Sequence, residues 1–256
     1  LSDRAYYLNH NYLIALVSWL LVLLPANRAF SLDAVQRRSD DRPFEPTVPA
    51  WTLWLTRFHV AVPYVFGGIA KLDSDWLRGQ PVRSMLADRA DWPVLGPLLG
   101  QEAAVWAIAY GGLLFDLLIV PTLLWRRTRV AAYVVAVGFH LMNSVLFHIG
   151  IFPWFMIFAT AVFFDPGWFR KRLTGRRLPR SPAAVPLAWT PGRKAVAGAL
   201  GALAFAHVLI PLRFLAYDEN PNWTERGHMF SWHMMLRGKQ VGMRFTATDP
   251  LTGRTG

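Results

Sequence analysis

Six long apolar runs, separated by short polar or basic blocks, organise this sequence. They cover Ala5–Ala26, Trp51–Ala70, Ala103–Trp125, Val130–Phe147, Ile149–Phe164 and Ala195–Ala216. A helix needs roughly 20 apolar residues to cross a hydrocarbon core of about 30 Å, and several of the runs approach that length. The fourth and fifth are shorter and are joined by His148-Ile149-Gly150, so they are expected to form a complete helical hairpin or a partly re-entrant one. Beyond Tyr217 the pattern changes. Gly242-Met243-Arg244-Phe245-Thr246-Ala247-Thr248 alternates as a strand does, and Asp249-Pro250-Leu251-Thr252-Gly253 reads as a turn. The expected fold class is an all-α multi-pass membrane bundle of about six transmembrane helices over residues 1–217. An extramembrane tail, residues 218–256, is expected to begin a truncated β-rich domain. Leu1 stands where an initiating Met would, which leads to the expectation of further sequence upstream.

Composition supports a lipid environment. Of the 256 residues 54% are hydrophobic and only 17% charged, with 12 Trp and 17 Phe to serve as interfacial anchors. The net charge of +11 invites a nucleic-acid partner. The basic residues, however, sit in short blocks between apolar runs, a topology pattern, so no nucleic-acid binding is expected. The absence of cysteine excludes disulfides, thiol catalysis and thiolate metal sites. Arg126, Arg127 and Arg129 follow the third run, and a second basic block, Arg170 to Lys194, follows the fifth. The positive-inside rule places both in the cytoplasm, and the acidic loop Leu72 to Glu102 opposite. Alternation then collects Asn9, His10, Lys71, His140, Asn143, Phe152, Met156 and the tail residues Trp232, His233, Met234 and Met235 at the non-cytoplasmic face. Ionisable intramembrane groups gathered at one face are functional-site candidates.

Among these, Lys71 stands out. It ends an apolar run in Gly68-Ile69-Ala70-Lys71-Leu72-Asp73-Ser74-Asp75-Trp76. An ammonium beside a bilayer either snorkels outward or loses its proton, and an uncharged lysine is a usable general base. Other polar positions have plainer readings. Arg57 and His59 suit snorkelling or an ion pair. Asp116 suits a buried partnership with Arg57 or a helix-packing hydrogen bond better than a proton relay. Gly67-Gly68, Gly111-Gly112, Gly198 and Gly201 suit close helix contacts. No two of the seven histidines lie three or four residues apart, so no metal site is expected. No GxGxxG, Walker or GxSxG motif supports a nucleotide cofactor or serine hydrolysis. A lipid-soluble cofactor needs no such motif, only an apolar, aromatic pocket near a membrane face.

Four blocks in order resemble the membrane domain of the vitamin K-dependent γ-glutamyl carboxylase family, the HTTM group. They are Leu8-Asn9-His10-Asn11-Tyr12-Leu13; Lys71-Leu72-Asp73-Ser74-Asp75-Trp76; Phe139-His140-Leu141-Met142-Asn143-Ser144 running on to Phe147 and Phe152; and Asn222-Trp223-Thr224 with Ser231-Trp232-His233-Met234-Met235. Gly253-Arg254-Thr255-Gly256 adds to the match. The resemblance implies that Lys71 is the base that deprotonates reduced vitamin K, a menaquinol or phylloquinol. Oxygen then adds, and the resulting strong base removes a γ-proton from a peptidyl glutamate that takes up carbon dioxide. It also implies that Asn9 and His10 lie near the quinone and that His140 serves carboxylation. Phe152, Met156, Trp232, Met234 and Met235 are implied as apolar contacts of the ring, and Asn143 belongs to the same site. The implied partners are the bilayer, the quinone and a glutamate-containing protein, and no metal is implied.

Ala70 departs from the pattern, because the animal enzymes carry a second lysine there. The arginine excess and absent cysteine suggest a bacterial source, hence an inner membrane with the site facing away from the cytoplasm. In such a relative, quinol oxidation and epoxidation without protein carboxylation is an alternative, and a non-enzymatic quinone-binding protein is another.

Overall fold

The computed structural model describes residues 7–28, 31–39, 48–147, 149–175, 188–234, 246, 248 and 250–253. Its helices are α1 Asn9–Leu23, α2 Leu32–Ser39, α3 Ala50–Ala70, α4 Ser74–Leu77, α5 Gln80–Ala87, α6 Gly96–Leu99, α7 Glu102–Leu124, α8 Arg129–Leu146, α9 Phe152–Thr160, α10 Trp168–Thr174, α11 Pro191–Leu212 and α12 Pro221–Thr224. Short 3-10 turns extend α9 over Ala161–Phe163 and α11 over Arg213–Ala216.

The expected number of spans is not found. Among the described residues three helices are long and apolar enough to cross a bilayer, Glu102–Leu124, Arg129–Leu146 and Pro191–Ala216, and a fourth arises if the bent pair Asn9–Leu23 and Ala26–Gln36 is one span. The second expected span, α3, has the length at 21 residues but carries Arg57 and His59 in its middle, which lowers its hydropathy. The fifth is only the short apolar helix Phe152–Phe163. The chain is nonetheless a membrane protein by its apolar helices. The expected C-terminal β segment fares no better. Among the described residues there is no strand, only an isolated bridge residue at Thr248, and most of Gly242–Thr248 lies outside them.

α3 and α7 lie side by side at the centre. Gly68 sets their separation, because a Cβ there would sit 2.7 Å from Leu117 Cδ2 and 3.2 Å from the Leu117 backbone nitrogen. This close approach through glycine is how helices gain dispersion contacts in lipid, where apolar burial drives little. Gly111, Gly198 and Gly201 have nothing within 4 Å of such a Cβ, so the packing role expected for them is not seen. The main core joins Leu13 of α1, Val60 and Tyr64 of α3, Leu123 of α7, Met156 of α9, Phe163 and Trp232. A second cluster, with Trp76, Val82, Leu86, Leu99, Val105 and Ala109, seats α4, α5 and α6 on the first half of α7. α11 touches α3 where the His59 and His207 rings lie 4.8 Å apart and buries Pro211 near its end, but most of it is exposed.

The expected Arg57–Asp116 partnership is also corrected. Arg57 donates to three carbonyls, Val162 at 3.0 Å and Phe163 and Phe164 at 3.1 Å each. These carbonyls end a helix and have no intrahelical donors left, which a guanidinium fork satisfies. Arg129 does the same for α7, donating to Leu123 and Leu124 carbonyls at 2.9 and 3.2 Å. Arginines thus close the helix ends at one end of the bundle, and Asp116 is left to a different cation.

Candidate functional site

Lys71 caps the C-terminus of α3, with its backbone N–H turned back to the Gly67 and Gly68 carbonyls. Asp73 then starts α4 by accepting from Asp75 N–H at 2.9 Å, an N-cap that turns the chain sharply after Lys71. The Lys71 side chain does not follow the loop outward. Its Nζ lies 2.6 Å from Asp116 Oδ2 on α7, and both side chains are 8% exposed. The Trp76 ring lies 5.2 Å from Lys71 Nζ, and Trp76 Nε1 is anchored on the Ala109 carbonyl at 3.0 Å. Gly67 leaves room for the pair, since a Cβ there would come 3.4 Å from Asp116 Oδ2 and 3.5 Å from Met234 Cε.

Across from the pair lies His140, on the buried stripe of α8. Tyr64 Oη is 2.7 Å from His140 Nε2 and 2.8 Å from Thr160 Oγ1, so α3, α8 and α9 meet in one hydrogen-bonded row. The other ring nitrogen, Nδ1, is buried with no protein partner. A buried polar atom left unsatisfied is costly, and such atoms mark places where a ligand or water completes the structure.

The tail closes this arrangement. Asn220 donates to Asp73 Oδ2 at 2.9 Å, and Trp223 Nε1 to Asp75 Oδ2 at 3.1 Å. Asn9 donates to the His233 carbonyl at 3.3 Å and accepts from Tyr7 Oη at 2.8 Å, while Phe230 N–H donates to Tyr7 Oη at 2.7 Å. Burial pushes the Tyr7 phenol up to about 12, against the pull of the Phe230 amide. His233 Nδ1 meets Asn222 Oδ1 at 3.1 Å.

These elements enclose a cavity of about 500 Å³. Of the residues expected at the site, Asn9, His10, Lys71, His140, Asn143, Phe152, Met156 and Met234 all line it. His10 and Phe152 face one another with ring centroids 5.9 Å apart. Trp232 is the exception. It is fully buried against Tyr12, with ring centroids 5.3 Å apart, and supports the core rather than lining the cavity. Met235 lies outside the described residues. Asn9 is brought to the cavity but spends its amide on Tyr7 and His233, so it ties the tail to α1.

Three site residues escaped sequence reasoning in this role: Asp116, Tyr64 and Thr160. A mid-helix carboxylate announces a buried cation, but choosing Lys71 over Arg57 needs the register of α7 against α3. Tyr64 and Thr160 look like ordinary helix residues until α8 brings His140 against the Tyr64 hydroxyl.

The lining suits a fused aromatic ring. Phe139, Phe147, Phe152, Met156 and Met234 supply apolar walls, and His140 Nδ1 supplies an unpartnered polar atom. Among the described residues no group of three or more His, Asp or Glu is placed to hold a metal ion.

Two family models match the chain. The HTTM domain model matches residues 1–168, which include Asn9, Lys71, Asp116 and His140. The model described as vitamin K-dependent gamma-carboxylase, lumenal domain, matches residues 192–256, which carry the tail that closes the cavity. No solved structure matches the chain. The four separated blocks meet at one cavity, and two family models in order cover the helices and the tail that build it. The chain belongs to the HTTM family, in the group of the vitamin K-dependent gamma-carboxylases.

Proposed function

We propose that the chain uses reduced vitamin K at this cavity to carboxylate peptidyl glutamate, with epoxidation of the quinone. The observation that carries the reading is the Lys71–Asp116 pair facing a ring-sized cavity with an unpartnered histidine nitrogen. When bound, the hydroquinone supplies through its oxidation by oxygen a base stronger than any side chain, which the weakly acidic γ-proton of glutamate requires. The protein's tasks are then positional. Phe139, Phe152, Met156 and Met234 hold the ring. Lys71 Nζ takes a proton from a ring hydroxyl. His140 Nδ1, with Nε2 held by the Tyr64 hydroxyl, meets a polar atom of the ligand or of the carboxylation substrate. His10 stands over Phe152 to polarise an oxygen. The buried tail excludes water, which would otherwise quench a strong base.

One observation favours the narrower reading, quinol epoxidation without protein carboxylation. Among the described residues Lys71 is the sole lysine or arginine lining the cavity, and Asp116 already occupies it. No second cation is described there to receive a glutamate carboxylate. Incubation with reduced vitamin K, a glutamate peptide and labelled bicarbonate separates the two. Label in the peptide together with epoxide supports the carboxylase. Epoxide alone supports the narrower reading, and neither product defeats both.

The cavity is proposed to face the non-cytoplasmic side of a bacterial inner membrane. Support comes from Arg126, Arg129 and the Arg170–Arg172 block at the bundle end away from Lys71, where Asp165 links Arg126 at 3.1 Å and Arg129 at 3.4 Å.

A further inference from the structure

We infer that Asp116 is the positioning residue that makes Lys71 a base instead of a snorkelling interfacial lysine. This rests on the reading of the cavity as a quinol site. Lys71 stands at the end of α3, where its four-carbon stem can carry the amine out to water. Its own helix offers one weak restraint, the Gly67 carbonyl at 3.4 Å. What turns the side chain inward is a carboxylate on the neighbouring helix, 2.6 Å from Nζ. Gly67 and Gly68 let α7 come close enough to present it, and Trp76 closes the outward path.

The proton count suits the task. The pair is net neutral whether it is written as ammonium with carboxylate or as amine with acid. Written as amine with acid, the pair takes the proton at Nζ, so the ligand O–H bond breaks and an N–H bond forms; written as ammonium with carboxylate, the bond that forms is Asp116 O–H. The pair then carries one positive charge beside the oxyanion left behind, so the cavity as a whole stays neutral. A lone buried amine would have no such partner, and truncating one member of a buried pair is strongly disruptive.

A merely structural bridge between α3 and α7 would also explain a close contact, so the test reads the amine itself. Purified full-length chain in lipid discs is treated, without quinone, with a membrane-permeant amine-acylating reagent, and modification of Lys71 is quantified by mass spectrometry. Asp116→Ala should raise the labelling rate at least about tenfold, because Nζ then reaches water. Asp116→Asn, which keeps the shape, should raise it in the same direction, and serves if the alanine variant does not fold. Asp116→Glu, which keeps the carboxylate, should stay closest to wild type.

In the epoxidation assay Asp116→Ala should lower kcat about 100-fold with little change in KM, as expected for a misplaced reacting group. Lys71→Ala with Asp116→Ala should be no slower than Lys71→Ala alone. A small primary amine that partly restores Lys71→Ala should fail to restore the double variant. Unchanged labelling of Lys71 in both Asp116→Ala and Asp116→Asn, or wild-type turnover in either, overturns the inference. If the wild-type chain turns over no reduced naphthoquinone, the proposed function fails. The quinone-free labelling result still decides whether Asp116 holds Lys71 in place.

Discussion

Asn220 donates its side-chain N–H to Asp73 at 2.9 Å, joining positions 147 residues apart. Asp73 caps the helix that follows Lys71, so this one bond fastens the tail to the loop that carries the candidate base. Asp73→Ala removes both the cap and the tie. Hydrogen bonds to a charged group contribute about 1.5–3 kcal/mol, and partial exposure here lowers the expected loss to about 1–2 kcal/mol with the cap included. Chemical denaturation in detergent reads this directly. Limited proteolysis should also cut faster between Asn220 and Trp232 in the variant.

Tyr64 is expected to serve through His140. Tyr64→Phe deletes the hydroxyl between His140 Nε2 and Thr160 Oγ1, leaving the ring free to turn. His140→Ala should lower carboxylation more than epoxidation, and Tyr64→Phe should show the same bias, at about one-tenth to one-hundredth of wild-type carboxylation. Both products are measured in one reaction, and an equal fall in the two would remove His140 from the carboxylation half.

Tyr7 gives a pH signature outside the spanning helices. Its folded phenol is raised from 10.0 to about 12, chiefly by desolvation. The neutral form is therefore favoured by folding. Its stabilising contribution is complete below about pH 10, the unfolded value, and is lost as pH rises through about 12. Tyr7→Phe should flatten the fall in stability over that alkaline window. An unchanged slope would show that Tyr7 titrates alike in both states.

Which residues gather at one cavity was more legible in the sequence than the frame around it. Lys71, His10, His140 and Asn143 are polar residues in or at the ends of apolar runs, where a polar residue has few reasons to be, whereas Phe152, Met156 and Met234 were expected as ring contacts only from the family resemblance. Contacts between helices were another matter. Asp116 paired with Lys71 and not with Arg57, because a one-residue rotation of α7 decides which cation a carboxylate meets. Arg57 found carbonyls, which no side-chain pattern announces. Span counting also failed at α3 and α9, where Arg57 and His59 interrupt one apolar run and the other is short. Trp232 matched a family block, yet its backbone at φ 60 turns the ring into the core.

Orientation is open to direct measurement in a chain without cysteine. A single cysteine introduced in the exposed part of the Leu72–Gln101 loop, such as Val94→Cys at a position 84% exposed, should react with an impermeant maleimide from the non-cytoplasmic side. A cysteine at Arg127 should react only from the other side. The reverse pattern would turn the cavity toward the cytoplasm.

The most direct test is epoxide formation from reduced vitamin K by folded Lys71→Ala protein. Its folding is checked by an unchanged thermal transition and retained quinone binding. A general base contributes about 10²–10⁴ in rate. Because every later step depends on the first proton removal, both epoxide and carboxylated product should fall at least about 100-fold. Wild-type epoxidation by a stable Lys71→Ala protein would contradict the assignment and leave the Lys71–Asp116 pair as a structural bridge between α3 and α7.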